Sequence, residues 1–312
     1  MDCQSPFDQL IDRRNSQSAK WDGAAEVFGQ EDLLPMWVAD MDFRPPEAAI
    51  RAVTARATHG IYGYERKPES LSEAVIDWLK IRHDWVIDST WLDHSPGVVS
   101  GLVSAILALT DPGDRIVIQP PVYPPFYSVV EQNGRVVVTN PLVEANGNYV
   151  MNIPELEEIF RSGVKLMVFC SPHNPVGRVW TKKELLALGE LIVNYGVTVL
   201  SDEIWADLAF HSHQHTPLAS LSPGIAERTI TFMAPSKTFN LAGLYMSNVI
   251  IPNQELRDRF CAQVQRLAQG HLNVFGIVAA EAAYREGKEW LDHLITYLEG
   301  NLHYVQEELA KI

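Results

Sequence analysis

Cysteine is scarce in this 312-residue chain: Cys3, Cys170 and Cys261 lie far apart and form no Cys-x-x-Cys pair. That excludes a disulfide framework and gives no support to a zinc site. Long apolar runs are missing too, so nothing approaches a membrane span, and the opening "MDCQSPFDQLIDRRNSQSAKWD" lacks the apolar core of a secretory signal. Positive charge is in short supply, with 25 basic against 39 acidic residues and a net charge of -14. Such a surface repels phosphate backbones and anionic lipid, which argues against nucleic-acid and membrane partners. No internal repeat or low-complexity tract is present. What remains is a chain with 46% hydrophobic residues, ample for a substantial core, and a soluble protein of the reducing cytoplasm is the expectation.

Residues 1–46 are polar and broken by "LLPMWVADMDFRPP", which reads as an irregular arm leaning on the rest. From there, "EAAIRAVTARATHG" and "SLSEAVIDWLKIRHDW" have helical apolar spacing. The short runs "RIVIQ", "RVVVTN", "KLMVFCS", "VTVLSDE", "TITFMA" and "SNVIIP" then alternate with helical stretches, among them "VVSGLVSAILALT" and "TKKELLALGELIVNYG". Runs apolar on successive residues are expected of strands covered on both faces, and the alternation predicts an α/β fold with a mostly parallel, doubly wound sheet. After Asn253 the pattern is helical to Ile312.

In such sheets ligands sit beyond the carboxyl ends of the strands. Just past those ends stand "SPHNPVG", "SDEIWADL", "QPPVYPPF" and "APSKTFN", while "SPGVVSGL" places a Pro-Gly turn at the mouth of a helix. Together these suit pyridoxal phosphate: a lysine to hold an aldehyde as a Schiff base, a carboxylate for the pyridine nitrogen and a helix N-terminus for the phosphate. Singly each part is weak, since most lysines only solubilise, Asp202 alone is equally a turn-capping residue, and Asn174 alone an Asn-Pro turn.

"PMWVADMDF", "NPVG", "SDEIWADL" and "SKTFNLAGL", in this order, resemble the class I/II aminotransferase superfamily, and in detail its cystathionine β-lyase-like C-S lyase branch, from about residue 30 onward. The resemblance implies the pyridoxal-phosphate-dependent transferase fold, with residues 1–46 as an arm contributing to a small domain, 47–287 as the large cofactor-binding domain, and 288–312 as a helix leading into a small domain that is cut short. It implies Lys237 as the Schiff-base lysine and Cα base, Asp202 at the pyridine nitrogen, Asn174 at the phenolic oxygen and Tyr123 stacked on the ring. Gly97, the amides of Val98 and Val99, and Ser236 would hold the phosphate. Tyr64 would reach it from a neighbouring subunit, making a homodimer, although core packing is the alternative for this residue. The resemblance puts the arginine for the substrate carboxylate in the small domain that is cut short, so that within this chain the backbone at Ala39, or Arg44, would meet the carboxylate instead.

Two residues depart from the aminotransferase pattern. Trp205 stands where a tyrosine is usual, and its indole donates but cannot accept a hydrogen bond. Tyr245 replaces an arginine at the phosphate, which favours the lyase branch. The expected reaction is β-elimination on an L-amino acid carrying sulfur on Cβ, such as cystathionine. Transamination is the alternative, and a catalytically weak cofactor-binding protein with an interaction role is an alternative of another class.

Overall fold

The computed structural model describes residues 5–30 and 32–312; Cys3 lies outside them. Nine strands occur among these residues: β1 (Leu92–Ser95), β2 (Arg115–Ile118), β3 (Val136–Thr139), β4 (Val143–Ala145), β5 (Asn148–Val150), β6 (Leu166–Cys170), β7 (Thr198–Asp202), β8 (Thr229–Met233) and β9 (Ser247–Ile250). Seven form one sheet in the order β1-β9-β8-β7-β6-β2-β3, and β4 with β5 makes a separate hairpin. Only β9 runs against its neighbours, β1 and β8. The sheet is therefore mostly parallel, and β1, β2, β6, β7 and β8 all deliver their carboxyl ends to one edge.

All five residues of β6 and of β8 are buried, as the unbroken apolar runs require of strands covered on both faces. One face packs against helices Val98–Leu109, Pro125–Glu131 and Gln254–Arg266 through Leu102, Ile106, Phe126 and Phe260. The other packs against helices Ile153–Arg161 and Lys182–Tyr195 through Leu156, Phe160, Leu188 and Ile192. Thr181 and Glu184 close a reciprocal capping box at the start of the second of these, and Gly196, at φ 68°, ends it in the left-handed conformation that glycine adopts without strain. A third cluster joins helices Glu69–His83, Val274–Glu286 and Lys288–Leu309 around Leu71, Trp78, Phe239 and Leu294.

Helix Val98–Leu109 lies unusually close to the sheet. A Cβ on Gly101 would come within 2.7 Å of Ser95 Oγ and 2.8 Å of Phe232 Cε1, so only glycine permits this approach. The contact fixes where the helix N-terminus points.

Candidate active site

Three adjacent strands present the central groups. In the register Cys170 lies opposite Asp202, and Asp202 opposite Phe232. Asn174 follows β6, Asp202 ends β7, and Lys237 sits in the one-turn helix Pro235–Thr238 after β8. The polar residues thus come together because the chain returns through the same sheet edge three times.

Asp202 is buried, and its one side-chain hydrogen bond among the described residues comes from the Ile204 amide at 3.1 Å. Burial pushes its carboxyl up to about 7, with the neighbouring charge of Glu203 adding to the effect while the Ile204 amide and the charge of Lys237 oppose it. Lys237 is held below the ordinary lysine value by burial, against the charges of Asp40 and Asp202. Its Nζ donates to Ala39 O at 2.6 Å and stands 5.2 Å from the centroid of the Trp205 ring. Tyr123 is exposed at 36%, and its phenol is raised by the burial of its inner side and by the charge of Asp202.

The buried Asp202 has a direct consequence for stability. Between its ordinary value of 3.8 and about 7, the folded chain keeps a proton that the unfolded chain has released. The contribution of this group is therefore greatest in acid and falls as pH rises through that window, by roughly 4 kcal/mol in all. Asp202→Asn removes the titration. In thermal unfolding of both cofactor-free proteins between pH 5 and pH 8, the variant is expected to gain on the wild type as pH rises; parallel curves would contradict the burial of this ionisation.

At the phosphate end, Gly97 precedes helix Val98–Leu109. The tight turn expected of this glycine is absent: φ 174° and ψ 161° are extended backbone open to any residue. What the glycine supplies is room, because a Cβ there would meet nothing within 4 Å. The amides of Val98 and Val99 belong to the first turn, which has no intrahelical acceptors for its N-H groups. Ser236 is half-buried in the Lys237 turn, next to the lysine itself.

Tyr64 is not brought to this cluster. It is 98% exposed and leans on His271, with ring centroids 6.1 Å apart, so the core-packing alternative is excluded. Arg44 is exposed on the arm, as is Tyr245 after the lysine turn.

The sequence reading missed how the arm is fastened. Arg13 donates to Asp40 Oδ2 at 2.8 Å and Asp42 Oδ1 at 2.7 Å, and Lys20 Nζ to Asp42 Oδ2 at 2.7 Å. Burial alone would raise the carboxyl of Asp40, yet these cations hold it below its ordinary value. Asn240, three residues past Lys237, accepts from Met41 N at 3.0 Å and donates to Phe43 O at 2.8 Å. This lock carries Ala39 to the lysine. The acid pair within "ADMDF" was the available signal, but nothing in it named partners 20 to 30 residues upstream.

The donor set fits pyridoxal phosphate. Among the described residues a buried carboxylate has no cation in hydrogen-bond contact, a half-buried amine lies within its electrostatic reach, and an open cradle stands before an anion-binding helix end. Beside them is a cavity of about 300 Å³ lined by Pro172, Asn174, Trp205, Phe210 and His213.

Comparison with known proteins extends this picture. Residues 31–312 match the family model described as aminotransferase class I and II. The chain is 48% identical over 311 residues to cystathionine β-lyase PatB of Bacillus subtilis, covering 98% of this chain and 80% of the relative. Cystalysin from Treponema denticola, whose crystal structure contains pyridoxal 5'-phosphate, superposes with a TM-score of 0.92 at 35% identity, over 96% of this chain and 77% of that one. A pyridoxal-phosphate-bound C-S lyase from Staphylococcus hominis gives a TM-score of 0.91 at 34% identity, over 98% and 77% of the two chains.

Proposed function

The chain belongs to the class I and II aminotransferase family, and on that premise we propose that it is a pyridoxal-phosphate-dependent C-S lyase. Its substrate is an L-amino acid bearing sulfur on Cβ, such as cystathionine. One water is consumed overall, and a thiol, pyruvate and ammonia are released. The observation that carries this reading is the likeness to a cystathionine β-lyase at 48% identity over 98% of the chain, and the buried Asp202 and half-buried Lys237, brought to one sheet edge by adjacent strands, support it.

When bound, the cofactor supplies an electron sink for the pair left at Cα. Lys237, its amine less basic than usual, takes the Cα proton, and the Cβ–S bond breaks with the electrons leaving on sulfur. Asp202 would be held ionised beside a positive ring nitrogen, because a cation brought beside a buried carboxylate reverses the penalty of burial. Asn174 and Trp205 would hold the phenolic oxygen, Tyr123 would offer its face to the ring, and Gly97, Val98, Val99 and Ser236 would receive the phosphate. Ala39, held by the arm lock, presents its backbone to the substrate carboxylate. Residues 47–287 form the cofactor-carrying domain, with residues 1–46 and 288–312 belonging to a smaller one.

The protein acts as a homodimer in the cytoplasm. Tyr64, fully exposed and away from its own site, supports a role across a subunit boundary. Cys170 and Cys261 are both free thiols, as suits a reducing compartment, and among the described residues no helix is long and apolar enough to cross a membrane.

Elimination is distinguished from transamination by its co-substrate. The purified, cofactor-loaded protein is expected to release pyruvate from cystathionine with no keto acid added, as followed by a coupled lactate dehydrogenase assay. Turnover that strictly requires a keto acid would make it a transaminase instead.

A further inference from the structure

Three residues of the candidate site are each one or two positions from a member of a single buried polar network. Asp202 precedes Glu203, which accepts from Ser201 Oγ and pairs with His215 Nε2, both at 2.8 Å. The His215 ring stands edge-on to that of His83, with centroids 5.5 Å apart. His83 Nε2 lies 2.9 Å from Asp207 Oδ1, two residues past Trp205, and Trp78 Nε1 donates to the same oxygen at 3.1 Å. Asp207 Oδ2 accepts from Thr238 Oγ1 at 2.7 Å, and Thr238 follows Lys237.

An acceptor-only carboxylate sets the proton on His83 Nε2 and leaves Thr238 as the donor. Burial would raise the carboxyl of Asp207, but the hydrogen bond and charge of His83, then Thr238 and the charge of Arg82, hold it below its ordinary value. It remains an ionised acceptor for all three donors at neutral pH. The helix that carries Lys237 spans only Pro235–Thr238 and has no side-chain N-cap. One turn cannot hold itself in place, so its orientation depends on tertiary anchors.

We propose that Asp207 and Thr238 are positioning residues for Lys237: their hydrogen bond ties the turn bearing Trp205 to the turn bearing the lysine, and so sets where the amine points. This deepens the lyase reading and rests on it for its consequence in catalysis. A long, flexible side chain is placed only as well as its backbone origin, and a displacement of about 1 Å at a reacting group is enough to impair it.

Thr238→Val keeps the shape and removes the hydroxyl, whereas Thr238→Ser keeps the hydroxyl. Two readouts are compared in the full chain. The first is the pH dependence of acetic anhydride labelling at Lys237 in the cofactor-free protein, by peptide mass spectrometry; the second is the rate of covalent capture of added pyridoxal phosphate. In the valine variant the amine gains access to water and loses the burial that lowers it, so the labelling midpoint is expected to rise by about one pH unit and capture near neutrality to slow on the order of tenfold. The serine variant should match the wild type in both. A valine variant with a lower unfolding temperature but wild-type midpoint and capture rate would overturn the proposal, leaving the network a purely structural one. Should that variant not fold, Asp207→Asn is read by the same two measurements. If the wild type captures no cofactor while the valine midpoint still moves, the positioning role stands and the lyase reading falls.

Discussion

Lys237→Ala is expected to abolish covalent attachment of pyridoxal phosphate and, with it, all detectable lyase activity. In the wild type, loading should produce a near-visible absorption band that borohydride removes while fixing the label on the peptide containing Lys237. The physical basis is that an aldehyde is attacked by a free amine, and burial at Lys237 lowers the cost of deprotonation. Other lysines are engaged differently. Lys20 holds Asp42 at 2.7 Å in the arm lock, Lys288 holds Asp292 at 2.7 Å along its own helix, and Lys165 sits at the amino end of β6, away from the edge where the strand ends gather. None can substitute by a change of rotamer. Label recovered on the peptide of Lys165 or Lys288 would refute the assignment outright.

Where the candidate residues lie was legible in the sequence, because they immediately follow stretches that read as unbroken apolar strands. "KLMVF", "VTVL" and "TITFM" each announce β6, β7 and β8, and Asn174, Asp202 and Lys237 come just beyond them. Strands without that pattern were not legible. β1 has the sequence "LDHS", with too few apolar residues to mark it, and it enters the sheet beside β9 through tertiary pairing. The hairpin of β4 and β5 is mostly exposed and carries no core pattern either.

Long-range polar contacts were the other blind spot. Thr238, Asp207 and His83 are spread over more than 150 positions, and nothing local marks them as partners. Asn240 likewise looks like an ordinary loop residue, at φ 56°, until its side chain is seen holding the arm. Sequence patterns report which backbone segments are buried, whereas hydrogen-bond pairing across elements depends on register and approach that only the fold supplies.

Asp202→Asn separates cofactor attachment from chemistry. The amide is nearly isosteric and buried amides are tolerated where one backbone donor already waits, here Ile204 at 3.1 Å, so covalent attachment at Lys237 is expected to survive. What the amide cannot carry is negative charge. In the loaded wild type, an ionised Asp202 buried from water would face the ring nitrogen, and a charge in such a low-dielectric setting is worth far more than at the surface. Its stabilising effect grows as the Cα proton leaves, so the loss falls on the transition state more than on binding. Turnover is therefore expected to drop on the order of 10²- to 10³-fold, with KM changed little. Steady-state kinetics of the loaded variant on cystathionine, read together with its absorption band, provide the measurement. A variant with its band intact and kcat unchanged would remove Asp202 from the reaction, and its burial would then have to be explained as a structural feature of β7 alone.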